Sequence, residues 1–531
     1  MVNILQSLYS TQDALRVNQA AMSVVSNNIA NMNTVGYSKQ RLDQESVTFR
    51  AGSINGLINM QPGSVAIDKV TRYQDEFLNS FIMQENSSLG FHSKTAEAMQ
   101  SLDGYFNEIQ GTGITGALKD YFAATQTLST DPMNKVVRAN FVSKADDVAK
   151  AFNTKYAQLM DYRKSLVGDG VSGTALGNSQ LGKLTADINS KIKEITELNR
   201  QIAVLTSEQG AQPNSLLDKR QVLLEELSRQ APITTRVEGN SVNLYLGNVQ
   251  LVSDGKQLAK FKATVSGATT AATVSVVDLE TGGNLVADYK AAFPQEQGEL
   301  KALLDAGGNG TNSILDFVTQ LNTLAQKFAK SVNDIQLKQT VNGGGVVTDA
   351  SLKTNPTTNK LELATENIFL NGVTPAPYDP TTITAANIVV NQVVKTNPYE
   401  VATAFAPVRA GVAPEPPIVP VNSDALGNNT NALSFVTMRD DTGVGLGGIT
   451  VEDYYYSILS TVGNNTSLSK NKYEVQQDSL NQLNDKKQSL VGVNLDEELV
   501  DLMKYQKAYE ASAQVMSAVN QMMSVIINMG R

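Results

Sequence analysis

This 531-residue chain has no cysteine and a single histidine, His92, and those two shortages remove most catalytic options at once. Without cysteine there is no disulfide and no thiolate chemistry, so stability must come from packing and assembly. One histidine excludes paired-histidine metal sites and HExxH peptidases. A Ser-His-Asp arrangement would have to recruit His92, whose neighbours Gly90, Phe91, Ser93 and Lys94 read as exposed helical surface. Basic clusters are also missing. A net charge of -9 argues against nucleic-acid binding, which needs concentrated Lys and Arg, and no basic run suits an anionic membrane. Long apolar runs are scarce. The uncharged stretch from Ala511 to Met529 carries Ser512, Gln514, Ser517, Asn520, Gln521, Ser524 and Asn528, which are costly in hydrocarbon, so it predicts a helix buried against protein rather than a membrane insertion. The first basic residue is Arg16, and Gln6, Ser7, Ser10, Thr11 and Gln12 interrupt any leader-type apolar core, which predicts no cleaved signal peptide. Gly343-Gly344-Gly345 lacks the Lys-Ser/Thr of a phosphate loop, and Asp440-Asp441 reads as exposed loop. No enzyme activity, metal or cofactor is expected.

What is present is a pair of matching apolar heptads at the two ends. Met1, Leu8, Leu15, Met22 and Ile29 fall seven residues apart, as do Leu495, Leu502, Tyr509, Met516 and Met523. A second line, Leu499, Gln506, Ala513, Asn520 and Ile527, lies four residues beyond the latter. A seven-residue stripe faces one partner helix continuously. The ends are therefore expected to pair with each other and with neighbouring copies, as in an assembly subunit.

Between them the period changes repeatedly. A first helix is predicted over about 3–31, ended by Asn27, Asn28, Asn31 and Asn33 before Gly36, with Tyr37 as an aromatic anchor. Extended or hairpin structure follows to about 67, punctuated by Gly52, Gly56, Pro62 and Gly63. Helix is predicted over about 69–110, then from Asp131 as N-cap with Pro132 at the first helical position to about 165. After a Gly-rich loop over 168–177, Leu181, Leu184, Ile188, Ile195, Leu198, Ile202 and Leu205 form a stripe broken only at Lys191, and a shorter helix spans 215–229. Alternation at Val242, Leu244 and Leu246 and the run Thr273–Leu279 predict a small β domain over 233–295. Ile314, Val318, Leu321, Ala325, Phe328, Val332 and Ile335 return to helix. Ten of the fifteen prolines lie between Pro356 and Pro420, which limits that region to short strands and loops, with Pro414-Glu415-Pro416-Pro417 a stiff linker or edge. Helix resumes near Val451, and Asn494 caps the last one with Glu497 reaching back. The fold class is mainly α with β insertions: a terminal-helix domain (1–38 with 494–531), a helical rod domain (39–232, 296–342 and 449–493), a β insertion (233–295) and a Pro-rich outer β/loop domain (343–448).

Asn28-Ile29-Ala30-Asn31-Met32-Asn33-Thr34-Val35-Gly36-Tyr37 resembles the N-terminal signature of bacterial flagellar axial proteins. Three further stretches are similar to the hook-associated protein 1 family. They are Gly116–Phe122 running on to Leu128–Pro132; Pro213–Arg220 through Leu223–Ser228; and Ser489–Glu498 followed by Tyr505–Ala513. The resemblance covers about 1–340 and 450–531. It implies a homo-oligomeric ring at the hook–filament junction, contacting the hook protein and the second junction protein. It also implies passage through the flagellar type III export channel, a cytosolic export chaperone on the C-terminal helix, and an extracellular location. Another axial subunit (hook or rod protein) is the alternative in the same class, against which the Pro213–Ser228 stretch speaks; a non-flagellar coiled-coil adhesin is the alternative outside it. The residues expected to carry assembly are Leu8, Leu15, Met22, Ile29, Leu495, Leu499, Leu502, Tyr509, Ala513, Met516, Met523 and Ile527 on the helices, with Asn31, Gly36 and Tyr37 at the joint. Gly36 is expected to supply a backbone angle that lets the terminal domain tilt against the rod.

Overall fold

The computed structural model describes residues 2–47, 64–108, 112–169, 173–209, 213–265, 272–308, 310–342, 346–372, 379–410, 418–422 and 425–529. Met1, the Gly/Pro-rich stretch after Val47, Gly343–Gly345 and Pro414–Pro417 lie outside them.

Helix α1 (Val2–Asn31) leads into an antiparallel ribbon of β1 (Gln40–Val47) and β2 (Ser64–Arg72), paired from Gln40 opposite Arg72 to Val47 opposite Ser64. The chain then builds the rod. Its helices are α2 (Glu76–Phe106), α3 (Gly113–Thr130), α4 (Lys135–Val167), the short α5 (Gly173–Asn178), α6 (Gln180–Gln209) and α7 (Asn214–Gln230).

Several starts and stops differ from the periodicity. Lys69 to Arg72 are strand, and α2 begins after Asp75, whose carboxylate accepts from the Leu78 amide. α4 begins after Asn134, whose side chain accepts from the Val136 amide at 2.9 Å. Asp131 instead ends α3, an element the periodicity did not separate. The stripe on α6 is continuous because Ile192, not Lys191, occupies the buried position. Part of the Gly-rich loop after α4 is helical as α5. Gly90 and Phe91 are buried rather than surface. A Cβ at Gly90 would run into the Arg229 carbonyl, so the glycine permits close contact of α2 with α7.

The β insertion holds β3 (Ile233–Glu238), β4 (Ser241–Leu246), β5 (Val249–Ser253) and β6 (Lys256–Gln257) in one sheet, ordered as in sequence. A second sheet holds β7 (Ala259–Thr264), β8 (Thr273–Asp278) and β9 (Asn284–Val286). Val242, Leu244 and Leu246 point inward, and both sheets lean on α6. Then come α8 (Tyr289–Ala292), α9 (Glu299–Ala306) and α10 (Ile314–Gln336).

The Pro-rich region contains β10 (Gln339–Val341), β11 (Val347–Asn355), β12 (Lys360–Leu363), β13 (Phe369–Leu370), β14 (Val389–Val390), α11 (Gln392–Thr396), β15 (Ala404–Ala410), β16 (Ile418–Pro420) and α12 (Thr430–Thr437). Its sheet, β10-β11-β15-β16 with β12 beside β11, has a small core of Ala350, Leu352, Leu361, Ala404 and Val408. Ile368, Phe369, Ile388, Val394 and Phe435 instead join the core of the rod, so this region is welded to the helices. Arg138 on α4 reinforces the weld. Fully buried, it donates through Nε to Pro132 O, through Nη1 to Val401 O and through Nη2 to Thr354 and Thr403 Oγ1.

Two long helices close the chain. α13 (Val451–Val491) packs along α2, with Ile82, Leu89 and Leu480 as a separate small core, and α14 (Leu495–Met529) packs along α1. At the far end of the rod Glu108 ties four elements together. Its carboxylate accepts from the Ile114 and Thr115 amides at the start of α3 and from Tyr455 Oη of α13, and pairs with Lys155 of α4 at 3.4 Å.

Candidate functional site: the terminal helices and their joint

The seam between α1 and α14 is built from small and medium side chains. On α1, Val17, Ala21 and Val25 are buried, while Leu8, Leu15, Met22 and Ile29 are half-buried along one edge. On α14, Leu502, Met516 and Met523 are half-buried, and their partner line lies three residues on from the expected heptad start: Glu498, Tyr505, Ser512 and Val519. The line expected four residues on, Leu499, Gln506, Ala513, Asn520 and Ile527, faces outward. A heptad accepts either spacing. Glu498 selects the first, because its hydrogen bonds turn α14 so that the carboxylate is buried. Leu495 and Tyr509 stand at the margin of the seam. The result is a second apolar surface with nothing over it: Met503 is 58% exposed, Met522 50% and Ile527 61%.

At the base of the seam apolar packing gives way to polar contacts. The chain leaves α1 through a turn in which Thr34 N donates to Asn31 O and Tyr37 N to Thr34 O. Asn31 bonds only within this turn and to Asn27. Gly36 has φ +80°, and a Cβ there would collide with Val222 of α7, so both angle and space demand glycine. Tyr37 then folds back, its hydroxyl 2.8 Å from Asn28 Oδ1. Burial, helped by the nearby negative charges of Asp218 and Glu498, pushes the Tyr37 phenol up to about 12.

Asn28 is the centre of this joint. It is 1% exposed and uses both ends of its amide. Oδ1 accepts from Gln40 N at 3.0 Å, and Nδ2 donates to Gln40 O at 2.9 Å and to Glu498 Oε2 at 3.0 Å. The other oxygen of Glu498 pairs with Lys39 Nζ at 3.0 Å, and Lys39 also takes Glu497, so Glu497 serves the joint rather than the expected capping box. Asn494 does cap α14, its Oδ1 accepting from Asp496 N at 3.0 Å. Burial alone would lower the Lys39 pKa, but the hydrogen bonds to Glu498 and Glu497 outweigh it and hold the ammonium above its usual value. The Lys39 backbone donates to Val491 O at the end of α13 and accepts from Tyr73 N at the end of the ribbon.

On the rod side Asp218 of α7 pairs with Arg72 at 2.9 Å and accepts from Ser38 N at 3.4 Å. Between these bridges the joint is open. A cavity of about 750 Å³ separates α1 from the start of α7, and one of about 440 Å³ lies between Gly36, the Tyr73 end of the ribbon and the last turn of α13. Val35, 89% exposed, stands between them. The two units are thus held by hydrogen bonds and ion pairs beside open space rather than by a shared core.

Of the joint residues expected from sequence, Gly36 and Tyr37 lie in this network and Asn31 at its edge. From sequence Asn28 has only a helix-ending role, and Lys39, Arg72, Asp218 and Glu498 have no place in the joint. The available signal was a charged residue, Glu498, inside an apolar repeat. Elsewhere, no group of three or more His, Cys, Asp or Glu able to hold a metal occurs among the described residues, and none of their helices is long and apolar enough to cross a membrane. His92 is half-buried, 3.8 Å from Glu296, which also pairs with Lys472; burial lowers its pKa.

Three family models match segments of the chain and together cover more than half of it. The flagellar hook-associated protein FlgK helical domain matches residues 99–346, the flagella basal body rod protein model residues 8–37, and the flagellar basal body rod FlgEFG protein C-terminal model residues 488–529. The flagellar hook-associated protein 1 of Salmonella typhimurium is 28% identical, over 97% of this chain and 98% of its own length. That of Escherichia coli is 25% identical over 98% of each, and that of Bacillus subtilis 23% identical over 99% of each. The flagellar hook junction protein FlgK from Burkholderia pseudomallei shares the fold, with a TM-score of 0.54 and 17% identity over 78% of this chain and all of that one. These likenesses support a structural subunit of the flagellar hook–filament junction, similar to the flagellar hook-associated protein 1 proteins.

Proposed function

We propose that this protein forms a ring of identical copies at the hook–filament junction, in which α1 and α14 become the inner lining of the axial tube. The uncovered apolar side of α14 carries this reading. Burying a Leu, Ile or Met side chain is worth ~1.5–3 kcal/mol, and Leu499, Met503, Val515, Met522, Ile526 and Ile527 gain none of it fully in one chain. Fixing each backbone residue costs ~1–2 kcal/mol, so one thin seam leaves the two helices loosely held. They order fully when neighbouring copies cover them.

In the same reading the hook protein lies on one side of the ring and the second junction protein on the other. The chain leaves the cell through the flagellar type III export channel, with a chaperone holding the sticky face of α14 beforehand. The open joint lets the terminal helices tilt against the rod, which a connection between a curved hook and a straighter filament needs. Electron microscopy of cells lacking the protein tests the reading. Hooks without filaments, with flagellin released into the medium, are expected; normal filaments would refute it.

A further inference from the structure

Arg220 lies in one of the stretches that resembled the family, yet neither the seam nor the joint uses it. It is 4% exposed, and both of its hydrogen bonds come from one nitrogen: Nη1 donates to Asn199 Oδ1 at 2.8 Å and to Asn240 O at 2.7 Å. Both acceptors are neutral, and no carboxylate pairs with it among the described residues. Arg138 shows what a buried arginine without a counter-ion otherwise does: it spends all three nitrogens on neutral acceptors. Among the described residues Arg220 leaves Nε and Nη2 with no hydrogen-bond partner, and a guanidinium carries five donors in a fixed fork.

Arg220 lines a cavity of about 230 Å³ at the foot of α2, bounded on one side by α7 and on the other by the β3–β4 turn. Arg72 lines the same cavity, its charge partly met by Asp218. Asn79 and Thr235 add polar side chains to the wall, while the Thr71 and Ser80 hydroxyls donate to Asp43 and to Phe77 O. Burial and the neighbouring charge of Arg72 push the Arg220 pKa down to about 10. The chain's own candidate, Glu76, stands exposed at the rim and pairs with neither arginine.

We propose that this cavity binds a small oxyanion between Arg220 and Arg72. A carboxylate or phosphate group matches the planar fork of a guanidinium and completes its hydrogen bonds. The oxyanion is either an ion from solution or a carboxylate side chain of a neighbouring copy. The site is independent of the ring assignment.

Calorimetric titration of the full chain with inorganic phosphate, at constant ionic strength against a chloride control, tests it. One saturable site per chain is expected. Arg220→Lys, which keeps the charge and loses the fork, should weaken binding at least tenfold. So should Ser80→Glu at the exposed rim, which supplies an internal anion and keeps the test intact if Arg220→Lys does not fold. Glu76→Gln should tighten binding. Absence of saturable heat in the folded wild-type protein, or equal affinity in a folded Arg220→Lys and in Ser80→Glu, would overturn the proposal. Sedimentation velocity separates the sources. Phosphate that weakens self-association at least tenfold marks a neighbour's carboxylate in the pocket, and unchanged self-association marks an ion from solution.

Discussion

The Asn28 amide donates to the Glu498 carboxylate across 470 residues of sequence, and this contact closes the base of the terminal helix pair. Neither side chain is apolar, yet both are 1% exposed. Losing a hydrogen bond to a buried charged group costs ~1.5–3 kcal/mol, even though Lys39 still pairs with Glu498. Asn28→Asp should be worse than Asn28→Ala, since it sets a second carboxylate against Glu498. Swimming in soft agar should fall in the order wild type, Asn28→Ala, Asn28→Asp, while the thermal midpoint of the rod stays unchanged. Equal motility in all three would remove the joint from the account.

Gly36 meets two separate demands. A non-glycine residue at positive φ costs ~1–3 kcal/mol, and the side chain must also displace Val222. Gly36→Val should abolish junction assembly. Adding Val222→Ala should relieve the collision but not the backbone angle. Gly36→Asn with Val222→Ala should recover more, because Asn tolerates the left-handed region better. Full recovery by Val222→Ala alone would show that only space matters.

Glu108 predicts an acid limb for the rod. Burial would raise its pKa, but hydrogen bonds from Tyr455, Ile114 and Thr115 and the charge of Lys155 hold it below the usual 4.5. A carboxylate with a depressed folded-state pKa adds stability above pH 4.5 that is lost as pH falls through the lower folded value. Glu108→Gln should therefore unfold more easily at neutral pH and show a shallower loss below pH 4.5. Urea midpoints measured from pH 7 down to 3 check this; parallel curves would contradict it.

Tyr121 and Tyr289 are fully buried, and neither hydroxyl has a hydrogen-bond partner among the described residues. Tyr121 sits among Phe122, Phe141 and Phe328, and Tyr289 beside Phe261 and Phe293. An unsatisfied buried polar group costs ~1–3 kcal/mol. Tyr121→Phe and Tyr289→Phe should each hold or raise the urea midpoint, and a clear drop would mean that the hydroxyls are satisfied after all.

Long regular stripes were the legible part of this chain. The helix from Ile314 and the one resuming at Val451 begin where the apolar pattern puts them, because packing and the Ser313 and Thr450 caps agree there. Boundaries failed where two good caps compete within a few residues, as at Asp131 and Asn134. The rotation of α14 was illegible for a different reason. Alternating 3 and 4 spacings fit both the Glu498–Val519 line and the Leu499–Ile527 line, and a hydrogen bond to Asn28 decides between them. Asp218 and Arg72 were invisible because their roles exist only once α7 meets the ribbon. Proline density excluded long helices from the outer region but said nothing of its weld to the rod through Arg138.

Hydrogen exchange on purified, monodisperse protein tests the central claim most directly: the terminal helices acquire full stability only when neighbouring copies cover them. The account predicts rapid exchange over Val2–Asn31 and Leu495–Met529 alongside strong protection of Ile314–Gln336. Protection of the terminal helices as strong as that of the rod, in a single free chain, would contradict it.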